Sequence, residues 1–128
     1  MLRGDFMPKK ILVVDDEADL VETLKFRLEA AGYAVVAAYD GQEGLAMAKK
    51  EKPNLILLDV MMPKLDGFQV CRLLKFDSNL KNIPIIMLTA RGQDQDKLTG
   101  KGVGADIYIT KPFDAPKLMA EIKKFLGE

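Results

Sequence analysis

The sequence predicts an α/β fold built on a doubly wound, parallel β-sheet, and two observations lead to that prediction. Five short apolar runs rich in β-branched residues alternate with segments whose apolar residues recur at helical spacing. This alternation is typical of parallel strands joined by helices that cover both faces of the sheet. The length of 128 residues fits one domain of ordinary size.

The apolar runs are the candidate strands. The first, third and fourth are apolar throughout, which suits central parallel strands that are covered on both faces. The fifth is shorter and more mixed, as expected nearer an edge of the sheet. In chain order, the runs are residues 11–14, 34–37, 55–58, 85–88 and 107–109.

The intervening segments are the candidate helices, and each has an apolar stripe that can pack against the sheet. Gly32 and Pro53 are typical of the ends of the first and second helices. The fourth candidate, residues 95–104, contains three glycines. Because each glycine costs about 1 kcal/mol in a helix interior, we expect a short or mobile helix there.

The composition argues against several kinds of function. Lys and Arg total 19, as do Asp and Glu, so no basic field favours direct nucleic-acid binding. No apolar run approaches the roughly 20 residues that span a membrane. The absence of histidine removes histidine-based catalysis and metal ligation. The single cysteine, Cys71, has apolar neighbours, which predicts a buried thiol and a reducing compartment such as the cytoplasm.

Charged and hydroxyl side chains stand where the predicted strands end. Asp15 and Asp16 follow the first strand, Asp59 ends the third, Thr89 ends the fourth and Lys111 follows the fifth. Right-handed crossovers place these strand ends at one edge of the sheet, where such folds bind ligands. Each residue alone has an ordinary structural explanation, but together they predict a functional site.

Clustered carboxylates repel one another and need a counter-charge. Mg²⁺ supplies one, because it prefers a few carboxylates together with waters and phosphate oxygens. We expect Asp16 and Asp59 to be direct ligands, Asp15 to act through a water and the backbone carbonyl of Met61 to complete the set. A carboxylate beside such a cation can act as a nucleophile and form an aspartyl phosphate.

The segments that carry these residues resemble the receiver domain of two-component response regulators. The similarity covers roughly residues 9 to 126 and is strongest in residues 11–17, 57–67, 84–90 and 104–113. It implies a flavodoxin-like fold with five parallel strands in the order 2-1-3-4-5 and five helices. We expect the receiver domain to occupy residues 9–128, after an N-terminal extension of residues 1–8.

The resemblance also implies a phosphorylation-dependent signalling switch that catalyses only its own phosphorylation and dephosphorylation. The metal would be Mg²⁺ or Mn²⁺, and the Lys111–Pro112 bond matches one that is often cis in the family. The family's roles fall on Asp59 as phosphoacceptor, Asp15 and Asp16 as metal pocket, Lys111 as the active-site lysine, and Thr89 and Tyr108 as switch residues.

The implied partners follow from what the chain lacks. Because it has no histidine, the phosphoryl donor must be a histidine kinase, a phosphotransfer protein or a small acyl phosphate. The target is a downstream protein or an output domain outside these 128 residues. The resemblance also allows a homodimer through the fourth helix, fifth strand and fifth helix. The sequence leaves open the kinase, the pathway, the phosphate lifetime and whether the domain stands alone.

Three alternative functions share parts of this pattern. A flavodoxin-like binding module needs a hydroxyl- and glycine-rich loop after the first strand, where Asp15, Asp16 and Glu17 stand instead. A metal-dependent phosphatase with an aspartyl nucleophile commonly has a second acid two residues later, where this chain has Met61. A degenerate receiver that only docks partners is disfavoured by the complete set of acids and Lys111.

Overall fold

Five parallel strands form one sheet that has helices on both faces. The computed structural model describes residues 7–90 and 104–128. The order of the strands is β2-β1-β3-β4-β5, and every neighbouring pair is parallel, which confirms the predicted fold class and order. The strands are β1 (Lys10–Val14), β2 (Ala34–Ala38), β3 (Leu55–Asp59), β4 (Ile85–Ala90) and β5 (Ile107–Lys111).

Four helices lie in the described part of the chain, against the five that were predicted. The fourth predicted helix, residues 95–104, lies outside the described residues apart from its last position. Within the described ranges, no helix is both long and apolar enough to cross a membrane. The helices are α1 (Ala18–Ala30), α2 (Gly41–Glu51), α3 (Gly67–Phe76) and α4 (Ala115–Phe125).

Each face of the sheet has its own apolar core, because successive side chains of a strand point to opposite faces. On one face, Leu58 and Met87 pack with Val70 and Leu74 of α3. Cys71 is fully buried in this cluster, as predicted. On the other face, residues of β1, β3 and β4 pack with α1 and α4. The central strands are therefore covered on both sides, whereas β5 is half-buried throughout, as expected at an edge.

Side-chain caps fix the start of two helices, α2 and α3, which follow β2 and β3. An oxygen of Asp40 accepts a hydrogen bond from the backbone N–H of Glu43 at 2.7 Å, at the first turn of α2. Asp66 and Gln69 form a reciprocal capping box at α3, with distances of 2.9 and 3.0 Å. These bonds satisfy N–H groups that would otherwise lack partners and so define where each helix begins.

Candidate functional site

Three carboxylates meet at the carboxyl edge of the sheet. Asp15 directly follows β1, and Asp59 is the last residue of the neighbouring strand β3. One oxygen from each of Asp15, Asp16 and Asp59 lies within 4.8 Å of the other two. Asp15 and Asp59 are buried and Asp16 is exposed. The parallel register thus brings together the three acids that the sequence singled out, in an arrangement that could hold a cation.

Lys111 reaches this cluster from the end of β5. Its Nζ lies 2.7 Å from Oδ2 of Asp15 and 3.2 Å from Oδ1 of Asp59. A third contact, of 2.9 Å, joins it to Oε1 of Glu17. Because the Lys111 side chain is only 18% exposed and both aspartates are buried, the pairs with Asp15 and Asp59 are shielded from solvent far more than surface pairs are, whereas the Glu17 carboxylate is exposed. Lys111 therefore supplies the positive charge that faces the carboxylates in the described structure.

The environment of Asp59 disfavours its charged form. Burial and then the negative charge of Asp15 raise the pKa of this carboxyl to about 6, although Lys111 opposes both effects. The ionised carboxylate is consequently less stable here than in water. At pH 7 most of it is still ionised, which a nucleophile requires.

In Lys111, by contrast, the site favours the charged form of the side chain. Burial alone would lower its pKa, but hydrogen bonds to Asp15 and Glu17 and the charge of Asp59 raise the pKa above its usual value. Lys111 is therefore positively charged throughout the neutral range. Its fixed charge can neutralise an anionic group that arrives beside Asp59.

Two hydroxyl groups lie buried near the site without hydrogen-bond partners. Thr89 is fully buried near the end of β4, and by strand alternation it shares a face with Met87 and Tyr108. Neither the Thr89 Oγ1 nor the Tyr108 hydroxyl has a partner in the described part of the chain. Burial, followed by the nearby Cys71, raises the pKa of Tyr108 to about 12. Since an unsatisfied buried hydroxyl costs about 1–3 kcal/mol, either group would gain from a new partner.

The loop after Asp59 carries Met61. Met61 is 60% exposed, and because a thioether is a poor ligand for a hard cation, any contribution to such a metal site would come from the main chain. At the loop's start, the N–H of Val60 donates to the carbonyl of Leu88 at 3.0 Å. At its end, the N–H of Gly67 donates back to the carbonyl of Val60 at 2.8 Å. The role of the Met61 carbonyl as a ligand stays a prediction.

Sequence reasoning missed the contact of Glu17 with Lys111. It grouped Glu17 with the other acids but gave it no role. In the structure, Glu17 is the N-cap residue of α1 without a side-chain capping bond, and its carboxylate pairs with Lys111 instead. The available signal was the run of three acids opposite a lysine at one edge. The Lys111–Pro112 peptide bond is cis, as the resemblance implied.

The chain is similar to known signalling proteins over nearly its whole length. Residues 11–123 match the family model of the response regulator receiver domain. Over 120 residues, 94% of this chain, it is 50% identical to the alkaline phosphatase synthesis transcriptional regulatory protein PhoP of Bacillus subtilis (strain 168). That stretch covers 49% of the relative, so the chain spans about half the length of this curated relative.

Solved structures give the same result for the fold. The chemotaxis response regulator CheY4 of Vibrio cholerae superposes with a TM-score of 0.87 and 35% identity, over 93% of this chain and 99% of that one. The receiver domain of the sensor histidine kinase PA1611 from Pseudomonas aeruginosa PAO1 has a TM-score of 0.87 and 28% identity, over 94% and 99% of the two chains. That structure has a magnesium ion coordinated in its active-site cleft.

The raised pKa of Asp59 predicts that Asp59→Asn stabilises the metal-free protein at pH 7. The pKa rises from 3.8 to about 6 on folding, so the protonated form is favoured by folding. The stability that depends on Asp59 is therefore present below about pH 4 and is lost as the pH rises to about 6. The variant, which carries no charge, should gain about 1–3 kcal/mol at pH 7 and little at pH 4.

Urea denaturation with a chelator at both pH values measures this gain. Asp16→Asn is the matched control, because it removes an exposed charge from the same cluster and should change stability by less than about 0.5 kcal/mol. Equal effects of the two substitutions, or a loss of stability in Asp59→Asn at pH 7, would contradict the electrostatic account.

Proposed function

Since the chain belongs to the response regulator receiver domain family, we propose that it is a switch turned on when Asp59 accepts a phosphoryl group. Members of this family are signalling proteins rather than metabolic enzymes. One observation carries the proposal. The buried carboxylate of Asp59 lies among the oxygens of Asp15 and Asp16 and 3.2 Å from the ammonium of Lys111. A nucleophile and its compensating charge are therefore adjacent.

The transfer is a displacement at phosphorus. A carboxylate oxygen of Asp59 forms a bond to the phosphorus of a donor phosphohistidine, and the bond from phosphorus to the histidine nitrogen breaks. The nitrogen keeps the electron pair. The donor is a histidine kinase or phosphotransfer protein, because this chain has no histidine of its own. A small acyl phosphate can replace it, in which case the leaving group is a carboxylate.

The acidic cluster fits a hard divalent cation, Mg²⁺ or Mn²⁺. Asp16 and Asp59 are proposed as direct ligands, with the Met61 carbonyl as the third protein ligand. Asp15 acts through water, in keeping with its two oxygens already accepting from Lys111 and the N–H of Glu17. The bound cation supplies positive charge for the transferring phosphoryl oxygens. The magnesium in the related PA1611 receiver domain supports this assignment.

Lys111 and Thr89 complete the chemistry. The Lys111 ammonium pairs with an oxygen of the phosphoryl group once the Asp59 carboxylate has become an acyl phosphate and has lost its own charge. The Thr89 hydroxyl, which is buried and has no partner among the described residues, donates a hydrogen bond to another phosphoryl oxygen. Both groups are more strongly engaged after transfer than before it, which favours the phosphorylated state.

The signal is a change of surface. When Thr89 moves toward the phosphoryl group, Tyr108 on the same face of the sheet rotates into the space that Thr89 leaves. The surface that is expected to change is formed by β5 and α4 together with the segment predicted as the fourth helix. That segment lies outside the described residues apart from its last position. The same surface is the candidate interface for a homodimer. Phosphorylation of Asp59 would thus change a surface that lies away from the phosphorylated residue.

The downstream partner is a further domain or protein. The receiver is proposed to occupy residues 9–128, with residues 1–8 as an extension. The relative PhoP is a transcriptional regulatory protein about twice as long as the matched stretch. We therefore favour a transcriptional output that lies outside this chain, in a cytoplasmic two-component pathway.

Incubation with a small acyl phosphate and Mg²⁺ should add one phosphoryl group, as measured by intact mass. The gain depends on the nucleophile and on the cation, so it should disappear in Asp59→Asn and in the presence of a chelator. Asp16→Glu, which keeps the charge, should retain part of it. A gain that survived in Asp59→Asn would refute the assignment, and no gain at all would favour a module that only docks partners.

Thr89→Ala should separate phosphorylation from signalling. Because Thr89 is neither the nucleophile nor a proposed cation ligand, the variant should still be phosphorylated to within about tenfold of the wild-type rate. The amide resonances of β5 and α4 should move far less on phosphorylation, as NMR would detect. Thr89→Ser, which keeps the hydroxyl, is the control and should respond. Shifts in Thr89→Ala as large as those of the wild type would exclude this switch mechanism.

A further inference from the structure

The loop that follows Asp59, residues 60–66, has few main-chain restraints of its own. Within the part of the chain that the structure describes, its backbone hydrogen bonds lie at its ends, where the N–H of Val60 donates to the carbonyl of Leu88 and the N–H of Gly67 donates to the carbonyl of Val60. Asp66 belongs to the capping box that starts α3. Between these points the chain forms neither strand nor helix, and loops of this kind move more readily than the elements they connect. The position of Met61 therefore depends on what the middle of the loop touches.

The first residue of α2 touches it closely. A Cβ atom built on Gly41 would lie 1.9 Å from the carbonyl oxygen of Leu65 and 2.7 Å from the Leu65 Cβ. Separations that short do not occur between real atoms, so any larger residue at position 41 requires the loop or α2 to shift. The φ angle of Gly41 is outside the left-handed region. Glycine is thus required here for space and not for backbone conformation.

A second contact joins the same two segments. The ammonium of Lys64 lies 3.5 Å from Oδ2 of Asp40, the residue before Gly41. Lys64 has a φ of 72°, a left-handed conformation that is costly for a residue with a side chain. Its side chain is 60% exposed, so the ion pair contributes little by itself. The close approach at Gly41 and this ion pair act together with the packing of Met62 and Leu65 against the apolar core to hold the loop.

Displacement of the loop would reach Asp59. A Cβ on Gly67, at the far end of the loop, would lie 2.3 Å from the carbonyl oxygen of Asp59. The backbone at the far end of the loop therefore lies close to the main chain of Asp59, and the middle of the loop lies close to α2. Met61 lies within this short segment, so a shift of the loop at Leu65 can be passed along the chain to it.

We infer that Gly41 is a positioning residue that sets the affinity of the acidic cluster for a divalent cation, by holding the loop that carries the Met61 carbonyl. The inference rests on the proposed function, because it takes the cluster to be a cation site. It adds a residue that touches neither the cation nor the phosphoryl group. Residues that only orient ligands commonly change metal affinity 10- to 100-fold when they are replaced.

The test compares Gly41→Ala with Ala48→Gly. Both alter one methyl group at a buried position of α2, but only the first crowds Leu65. Ala48→Gly lowers the stability of the helix without touching the loop and so controls for general destabilisation. We expect the dissociation constant of Mn²⁺, measured by electron paramagnetic resonance of the free ion, to rise about tenfold in Gly41→Ala and less than about twofold in Ala48→Gly.

A second readout needs no metal. In the metal-free protein, the NMR amide resonances of residues 60–65 should shift in Gly41→Ala and stay in place in Ala48→Gly. If Gly41→Ala fails to fold, as circular dichroism would reveal, Leu65→Gly frees the loop from the other side of the contact. That variant should also weaken Mn²⁺ binding about tenfold.

The outcomes separate the two proposals. If the wild type binds Mn²⁺ and is phosphorylated while Gly41→Ala binds equally well, the positioning role of Gly41 is wrong and the proposed function stands. If the wild type binds no Mn²⁺, the proposed function fails and this inference fails with it. Weakened binding in both Gly41→Ala and Ala48→Gly would mean that Gly41 matters only for stability.

Discussion

Repulsion between carboxylates at one end of a parallel sheet is the constraint on which this structure depends. Asp15 and Asp59 are buried side by side, and Asp16 and Glu17 lie on the same loop as Asp15. Lys111 is the cation that pairs with Asp15, Glu17 and Asp59 in the described residues, and a single ammonium cannot neutralise four acids. The raised pKa of Asp59 reflects its burial first and the excess negative charge, through Asp15, second. A bound divalent cation would remove that excess, and a phosphoryl group would then find compensating charge already in place.

The fold stabilises the protein enough to tolerate this electrostatically unfavourable cluster. The strands that carry Asp15 and Asp59 are central, and their apolar residues are buried on both faces. The large apolar core offsets the electrostatic cost at the edge, and the sheet register keeps the acids from moving apart. The groups that would respond to phosphorylation are placed differently. Thr89 and Tyr108 lie toward the half-buried edge strand, where less packing opposes a rearrangement.

Much of this could be predicted from the sequence, because strand ends and alternation are local properties. Runs of β-branched residues predicted the five strands, and parallel pairing then placed Asp15 and Asp59 at one edge of the sheet. The resemblance to a known family supplied the strand order. Contacts between distant segments were not predictable. Two such contacts are the ion pair of Glu17 with Lys111 and the approach of Leu65 to Gly41. Both depend on side-chain and loop positions that only the assembled structure defines.

The central claim is that the carboxylate of Asp59 becomes an acyl phosphate, and reductive trapping tests it most directly. Borohydride converts an aspartyl phosphate to homoserine but leaves a free carboxylate unchanged. Protein treated with an acyl phosphate and Mg²⁺, reduced and digested, should yield a peptide with homoserine at position 59. The acids at positions 15, 16 and 17 should be unmodified. Homoserine at another position, or none in protein that binds the cation, would contradict the account.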